Sequence, residues 1–236
     1  MIGLVLLALA LVATVWLGAT GKLTLYIHPR YLVFTLVMAG VALAAVIAAF
    51  AVVRHRHRHE GEGRERYGIV GVTAVVIAGA VAIAMVVVPP ATLTTGTAEQ
   101  RELNSAAITG SGATLEEASS ASDAAFASFT VLDWSSLLRQ TSDPSFYSGK
   151  AVDVVGFVTA DSEDPDRFYV SRFVVTCCAV DAQPIGVPVY LPGWDDQYAV
   201  GDWLRVTGGF ASTPSGLALD ADAFEEVPEP DEPYLF

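Results

Sequence analysis

Two adjacent cysteines, Cys177 and Cys178, are the only cysteines in this chain of 236 residues, and Asp181 follows three residues later. Thiolate sulfur and carboxylate oxygen are both ligands for zinc, and thiolates select soft metal ions in general. Two neighbouring thiols can also form a disulfide or take part in thiol exchange. These three residues are therefore the candidate ligand or metal site of the chain.

The adjacency of the cysteines restricts what they can do. Successive side chains of a β-strand point to opposite faces, so both cannot be core residues of one regular strand. One thiol can be buried and the other exposed, with no chemistry. A vicinal disulfide is a second option, although the Cα atoms are only ~3.8 Å apart and bridges usually span about 4.4–6.8 Å. Alternatively, the strand ends at Cys177 and both sulfurs turn to one side to bind a metal.

Asp181 also has two interpretations. As a third ligand it gives a set of two sulfurs and one oxygen, one short of the usual four ligands of zinc. A second chain or a partner must then complete the site. As a structural residue, an aspartate at this position can accept a backbone N–H and cap the turn.

Three long apolar segments fill most of the first 90 residues, at positions 1–18, 31–53 and 67–88. A helix needs roughly 20 such residues to cross the hydrocarbon core of a bilayer. The sequence therefore predicts three transmembrane helices and a multi-pass protein in the lipid bilayer, with a cleaved signal peptide as the alternative for the first segment.

The segment between the second and third apolar segments is rich in arginine. Short loops that carry many Lys and Arg residues stay in the cytoplasm. This charge bias predicts that the C-terminal part of the chain lies on the outer side of the membrane. The arginines that form this candidate topology anchor are Arg54, Arg56, Arg58, Arg64 and Arg66.

The charge of the remaining chain excludes one class of partner. Residues 91–236 carry six Lys and Arg against 23 Asp and Glu, so this part is strongly acidic. Nucleic acid is not an expected partner, because phosphate binding needs positive charge. The chain also lacks the nucleophile-elbow, P-loop and dinucleotide-binding motifs, and no histidine lies beyond residue 59. We therefore expect no enzyme activity.

The acidic part divides into a linker and a domain. Residues 91–128 are rich in Ser, Thr, Ala and Gly, which predicts a flexible tether. Residues 129–236 begin with a short helix that Asp133 is expected to cap and that ends at Gln140. Five short strands with turn residues between them follow, and they predict a small all-β barrel of the oligonucleotide/oligosaccharide-binding (OB) type. The strand that contains Pro188 is expected at an edge.

Several segments together resemble one bacterial family. They read LYIHPRY between the first two apolar segments, then GKAVDVVGFV, FYVSRFVVTCCAVDAQPIGVPVY, GDWLRVTGGF and PDEPYLF. This pattern is similar to the YcgQ-like bacterial membrane proteins, and it covers nearly the whole chain apart from the tether. The resemblance implies a multi-pass protein of the bacterial cell membrane that works with a permease and has a link to metal homeostasis. It implies no enzymatic activity.

The sequence thus predicts an accessory subunit of a membrane permease. Its outer β domain would bind or hand over a ligand or metal ion, with zinc or another soft metal as the expected cofactor. A membrane-tethered thiol redox protein is one alternative, and a purely structural interaction module is the other. Neither the transported substrate nor the oligomeric state follows from the sequence.

Overall fold

The protein is described here by a computed structural model. It contains two compact units, Met1–Ala91 and Thr92–Phe236, and each is described by itself. The structure describes residues 2–59, 73, 76–77, 79–80, 92–105 and 112–236.

The N-terminal unit is helical. Helix α1 spans Ile2–Ala19 and helix α2 spans Leu32–His59. Two short 3-10 helices, Lys22–Leu25 and Pro29–Tyr31, connect them. The helices α1 and α2 pack on each other, and a side chain at Gly18 would collide with Leu36. Small residues allow such close approach between apolar helices.

One segment of this unit is long and apolar enough to cross a membrane, judged by length and composition over the described residues. This segment is Pro29–Val52, and only 11% of its most apolar stretch is buried inside the protein. Large side chains such as Val33 and Phe34 are 70% and 67% exposed. The apolar helix Gly3–Ala19 is shorter, and most of the third predicted span, 67–88, lies outside the described residues. Three transmembrane helices are therefore not shown.

The C-terminal unit is an all-β domain with short helices, as predicted, but it has six strands rather than five. The strands are β1 (Val152–Ala160), β2 (Arg167–Val174), β3 (Gln183–Tyr190), β4 (Trp203–Thr213), β5 (Gly216–Glu226) and β6 (Tyr234–Leu235). The helices are α3 (Thr95–Glu99), α4 (Leu115–Ser120), α5 (Asp123–Phe126), α6 (Val131–Gln140) and α7 (Pro144–Tyr147).

Strand β1 closes the sheet because it has two different neighbours. Its residues 152–157 pair with β4 and its residues 157–160 pair with β2. The pairing then continues from β2 to β3, β5 and β4, while β6 adds to β2 in parallel. Gly156 lies where β1 changes neighbours, and a Cβ there would collide with the carbonyl oxygen of Ser171. Glycine therefore permits the close approach that closure requires.

The core fills this closed sheet and extends under the helices. Fully buried side chains of several strands, such as Phe168, Val187 and Leu204, form one cluster with residues of α6. Trp134 of α6 has no exposed surface, and its ring lies 5.3 Å from that of Phe210. Helix α6 packs against β1, β2 and β3, so it is part of the β domain and not of the segment that precedes the domain.

The capping residue of α6 differs from the prediction. The helix begins after Thr130, whose hydroxyl accepts the N–H of Asp133, while the Asp133 carboxylate accepts the N–H of Thr130 at 2.9 Å. Asp133 therefore occupies the third helical position of a capping box and not the N-cap. The sequence pattern allows either position, and the predicted start was three residues late.

The flexible tether expected at 91–128 does not hold for the described part of that segment. Residues 92–105 and 112–128 belong to the C-terminal unit and contain three of its helices. Ala118 and Phe126 are 2% and 3% exposed and join the core cluster. Composition alone suggested a linker, because alanines and single aromatic residues give little periodicity in a short helix.

Asn104 binds the edge of β3 that β5 leaves largely unpaired. The side-chain amide of Asn104 donates to the Gly186 carbonyl and accepts the Gly186 N–H, both at 2.9 Å. The Asn104 N–H donates to the carbonyl of Pro184 at 3.1 Å. Strand β3 pairs with β5 only at Val189, so Asn104 satisfies backbone groups that β5 leaves open. Such coverage protects an edge from pairing with other chains.

Removal of the Asn104 amide should release this segment. Asn104 has φ 55°, so Asn104→Gly keeps the left-handed backbone without strain while it deletes two hydrogen bonds. We expect a loss of roughly 1–3 kcal/mol, at about 0.5–1.5 kcal/mol for each bond. Hydrogen–deuterium exchange of the full-length protein in detergent should accelerate over residues 92–105.

The matched control is Glu102→Gln, a change of an exposed side chain in the same segment. It should leave exchange unaltered. Equal protection of residues 92–105 in Asn104→Gly and the unaltered protein would contradict this account of the edge.

Candidate functional site

The two cysteines lie in the connection between β2 and β3. Strand β2 ends at Val174, three residues before the end that the sequence suggested. The chain then bends through Thr176 and Cys177 and forms a 3-10 helix over Ala179–Asp181. Because neither cysteine is inside a regular strand, the alternation of side chains no longer separates them.

Asp181 organises this turn with its carboxylate. Its Oδ1 accepts the N–H of Thr176 at 3.1 Å, and its Oδ2 accepts those of Cys177 and Cys178 at 2.8 and 3.3 Å. The Asp181 N–H in turn donates to the Cys178 carbonyl at 2.9 Å. The turn-capping role considered for this aspartate is therefore present. An aspartate that binds three successive amides holds the backbone in one conformation.

The turn brings the three predicted residues together. The sulfurs of Cys177 and Cys178 and a carboxylate oxygen of Asp181 all lie within 4.8 Å of one another. Both cysteines are free thiols; Cys177 is exposed and Cys178 is half-buried. The Cys178 sulfur also accepts the N–H of Asp181. This separation permits one ion to contact all three groups after small side-chain rotations.

The surroundings keep the Cys177 thiol protonated. Local desolvation raises its pKa above the ordinary thiol value, and the neighbouring Cys178 and Asp181 raise it further. A thiolate is the form that attacks disulfides and binds metals. A metal ion at this site would thus displace the Cys177 proton when it binds.

Arg101 reaches the site from the segment that was expected to be a tether. Its Nη2 donates to the carbonyl of Val180 at 3.2 Å. Val180 itself is 83% exposed, so the outer surface of the turn is open to solvent or to a partner. Sequence reasoning missed Arg101, because a single arginine in a polar segment carries no periodic signal.

The structure describes only part of the predicted topology anchor. The backbone of Arg54, Arg56 and Arg58 lies in the last turns of α2. Arg64 and Arg66 lie outside the described residues. These three arginines therefore follow the uncharged stretch of α2, residues 32–53, and the role of the cluster in topology stays a prediction.

A solved structure gives a weak match. Part of the chain is similar to a chain in the crystal structure of the S. pombe Stn1-ten1 complex, with 17% identity and a TM-score of 0.21. The match covers 33% of this chain and 57% of that one. At this TM-score the likeness supports no statement about fold or function. No curated protein matches the chain.

Family models match both units of the chain. The model of the DUF1980 N-terminal domain matches residues 1–104, and that of the DUF1980 C-terminal domain matches residues 116–236. The second match includes the whole β barrel and the cysteine turn. These matches are consistent with the YcgQ-like resemblance of the sequence, and the chain belongs to the DUF1980 family.

Proposed function

We propose that this chain is an accessory subunit of a bacterial membrane permease. In this proposal the apolar helices hold it in the bilayer as a multi-pass protein, and its β domain lies on the outer side. The β domain binds zinc or another soft metal ion at Cys177, Cys178 and Asp181 and hands it to the permease. The domain is an OB-like barrel in this proposal, since five of its strands close in a single ring.

The observation that carries the proposal is the cluster of two sulfurs and one carboxylate oxygen within 4.8 Å. Each carboxylate oxygen has about two lone-pair positions, and Oδ1 of Asp181 uses one of them for Thr176. Three protein ligands leave a fourth zinc position open. Structural zinc sites are usually closed by four protein ligands, so an open position on an exposed turn suits an ion that is passed on.

The apolar helices support the membrane part of the proposal. Segment Pro29–Val52 passes the length and composition test for a span. The side chains of Val37, Val41 and Ile47 are each more than half exposed along it, and exposed apolar side chains of this density favour contact with lipid or with other helices. A polytopic permease offers such a helical surface.

The two alternatives differ in what they require of the thiols. Redox-active cysteines generally have a lowered pKa, whereas the environment of Cys177 raises its pKa. The raised pKa counts against thiol exchange at neutral pH; metal binding also needs the thiolate, and there the ion itself displaces the proton. A purely structural module would need no cluster of ligand atoms, and the turn-capping role of Asp181 is the feature that favours it.

Zinc titration tests the metal part. The tag-free full-length protein in detergent should bind one Zn²⁺ per chain in competition with a chromophoric chelator. Because zinc displaces the Cys177 proton, the affinity should fall about tenfold for each pH unit below the pKa of that thiol. Cys177→Ser/Cys178→Ser should abolish this binding, and the remote change Asp222→Asn should not. Unchanged stoichiometry and affinity in the double variant would refute the site.

Alkylation kinetics separate the metal and redox alternatives. Because its pKa is raised, Cys177 should react with iodoacetamide more slowly at pH 7 than an unperturbed thiol, with a rate that rises about tenfold per pH unit towards its pKa. Cys178→Ser removes a group that raises this pKa and should accelerate the reaction at a fixed pH. Mass spectrometry of the full-length protein gives the rates. A rate above that of a free cysteine peptide would favour the redox protein.

Copurification tests the permease partner. Chemical cross-linking in intact cells, followed by purification from mild detergent, should recover a polytopic membrane protein in constant ratio to this chain. Phe34→Ala/Val37→Ala on the exposed side of α2 should reduce that recovery severalfold, because apolar contact area is lost. Recovery of soluble enzymes alone, or of no partner at all, would count against the accessory-subunit proposal.

A further inference from the structure

A second feature of the C-terminal unit is a cleft between the start of α6 and one side of the barrel. It has a volume of about 300 Å³, which is at the lower end of the range for small-molecule sites. Its charged side chains come from three strands, and its apolar wall comes from α6, β6 and the residues before α6. The lining includes Arg172, Arg205, Asp153, Phe129, Val131 and Leu235.

Arg172 is a buried cation in the wall of this cleft. It is only 9% exposed. Its Nε donates to the carbonyl of Pro233 at 2.8 Å, and its two terminal nitrogens donate to the carbonyls of Glu232 and Val155 at 2.6 and 3.3 Å. A guanidinium has five N–H donors, so two remain beyond these three bonds.

Carbonyl groups satisfy donors but do not neutralise the charge. Glu229 acts on Arg172 electrostatically, but burial is the larger effect and lowers the pKa of Arg172 to about 10, so the group is still a cation at neutral pH. Glu229 is exposed and does not line the cleft. A buried cation whose desolvation is only partly offset is costly, and an anion that enters the cleft would offset that cost.

The other two charges of the cleft nearly cancel. Arg205 binds Asp153 through two hydrogen bonds, with Nε to Oδ1 at 2.8 Å and Nη2 to Oδ2 at 2.5 Å. This pair holds the pKa of Asp153 below its usual range. Arg172, Arg205 and Asp153 therefore leave one net positive charge beside an apolar wall.

We propose that this cleft binds a small organic monoanion, a carboxylate attached to an apolar group. The carboxylate lies beside Arg172 and Arg205, and the apolar group packs on Phe129, Val131 and Leu235. A single negative charge matches the net charge of the three charged side chains that line the cleft. The cleft shares no lining residue with the cysteine turn. A negative result at one of these sites therefore leaves the proposal for the other unchanged.

A fluorinated pair of probes tests the site. The anion 4-(trifluoromethyl)benzoate and the neutral 4-(trifluoromethyl)benzamide have nearly the same shape. Fluorine NMR line broadening is measured with full-length protein in detergent, against detergent alone to correct for partition. The benzoate should bind saturably and be displaced by unlabelled benzoate, whereas the benzamide should bind at least about tenfold more weakly, because charged hydrogen bonds are the stronger ones.

Three variants assign the binding to the cleft. Arg205→Gln removes one cation and should weaken benzoate binding about tenfold, whereas Asp153→Asn removes the competing anion and should strengthen it. Both change a largely solvent-facing ion pair, whose loss costs the fold little. Arg139→Gln, in the last turn of α6 and outside the cleft lining, makes the same charge change and should have no effect.

The outcomes decide the proposal. Saturable benzoate binding with the opposite effects of Arg205→Gln and Asp153→Asn supports it. The absence of saturable binding, equal binding of the benzamide, or equal affinities in these two variants overturns it. Circular dichroism of each variant confirms that the fold is retained.

Discussion

The carboxylate of Asp181 sets the geometry of the cysteine turn. In a continuing strand Cys177 and Cys178 would point to opposite faces, and no single ion or partner could contact both. By accepting the N–H groups of Thr176, Cys177 and Cys178, Asp181 holds the chain in a bend immediately after β2. The same interaction places a carboxylate oxygen beside the sulfurs. The structural and ligand roles considered for Asp181 are therefore compatible, because one conformation provides both.

Residues 92–105, whose composition is that of a linker, also contact the cysteine turn and strand β3. Arg101 binds the turn through Val180, and Asn104 binds the edge of β3 through Gly186. Any displacement of residues 92–105 would alter both contacts. This segment directly follows the N-terminal unit in the chain.

The strands were predictable from sequence because alternating β-branched and aromatic residues carry a strong signal. The proximity of Cys177, Cys178 and Asp181 is one of the arrangements that the sequence allows, since only three residues separate its ends. Asn104 could not be found in this way. Its contacts with Gly186 cross 82 residues, and polar residues in a short segment carry no period that would indicate packing.

The position of Arg172 in β2 is a sequence signal of a buried charge. Arg172 is the second of two arginines in the strand RFYVSRFV, and it lies within the last five positions, where residues on both faces are buried. A charge inside an otherwise apolar strand implies a compensating environment, and here the backbone carbonyls of three residues supply it. The location of the cleft could still not be derived, because it depends on how β6 and α6 pack around that side chain.

Burial determines where charge can act in this acidic domain. At exposed positions the excess of Asp and Glu between residues 91 and 236 favours cations. The exposed cysteine turn carries two thiols and a carboxylate, which are groups that bind cations as well. An anion is attracted only where a cation is shielded from that field by the protein interior, as Arg172 is. Electrostatic attraction is strongest at short range in a low dielectric. The two proposed sites, the metal site on the exposed turn and the anion site in the cleft, therefore have opposite charge preferences.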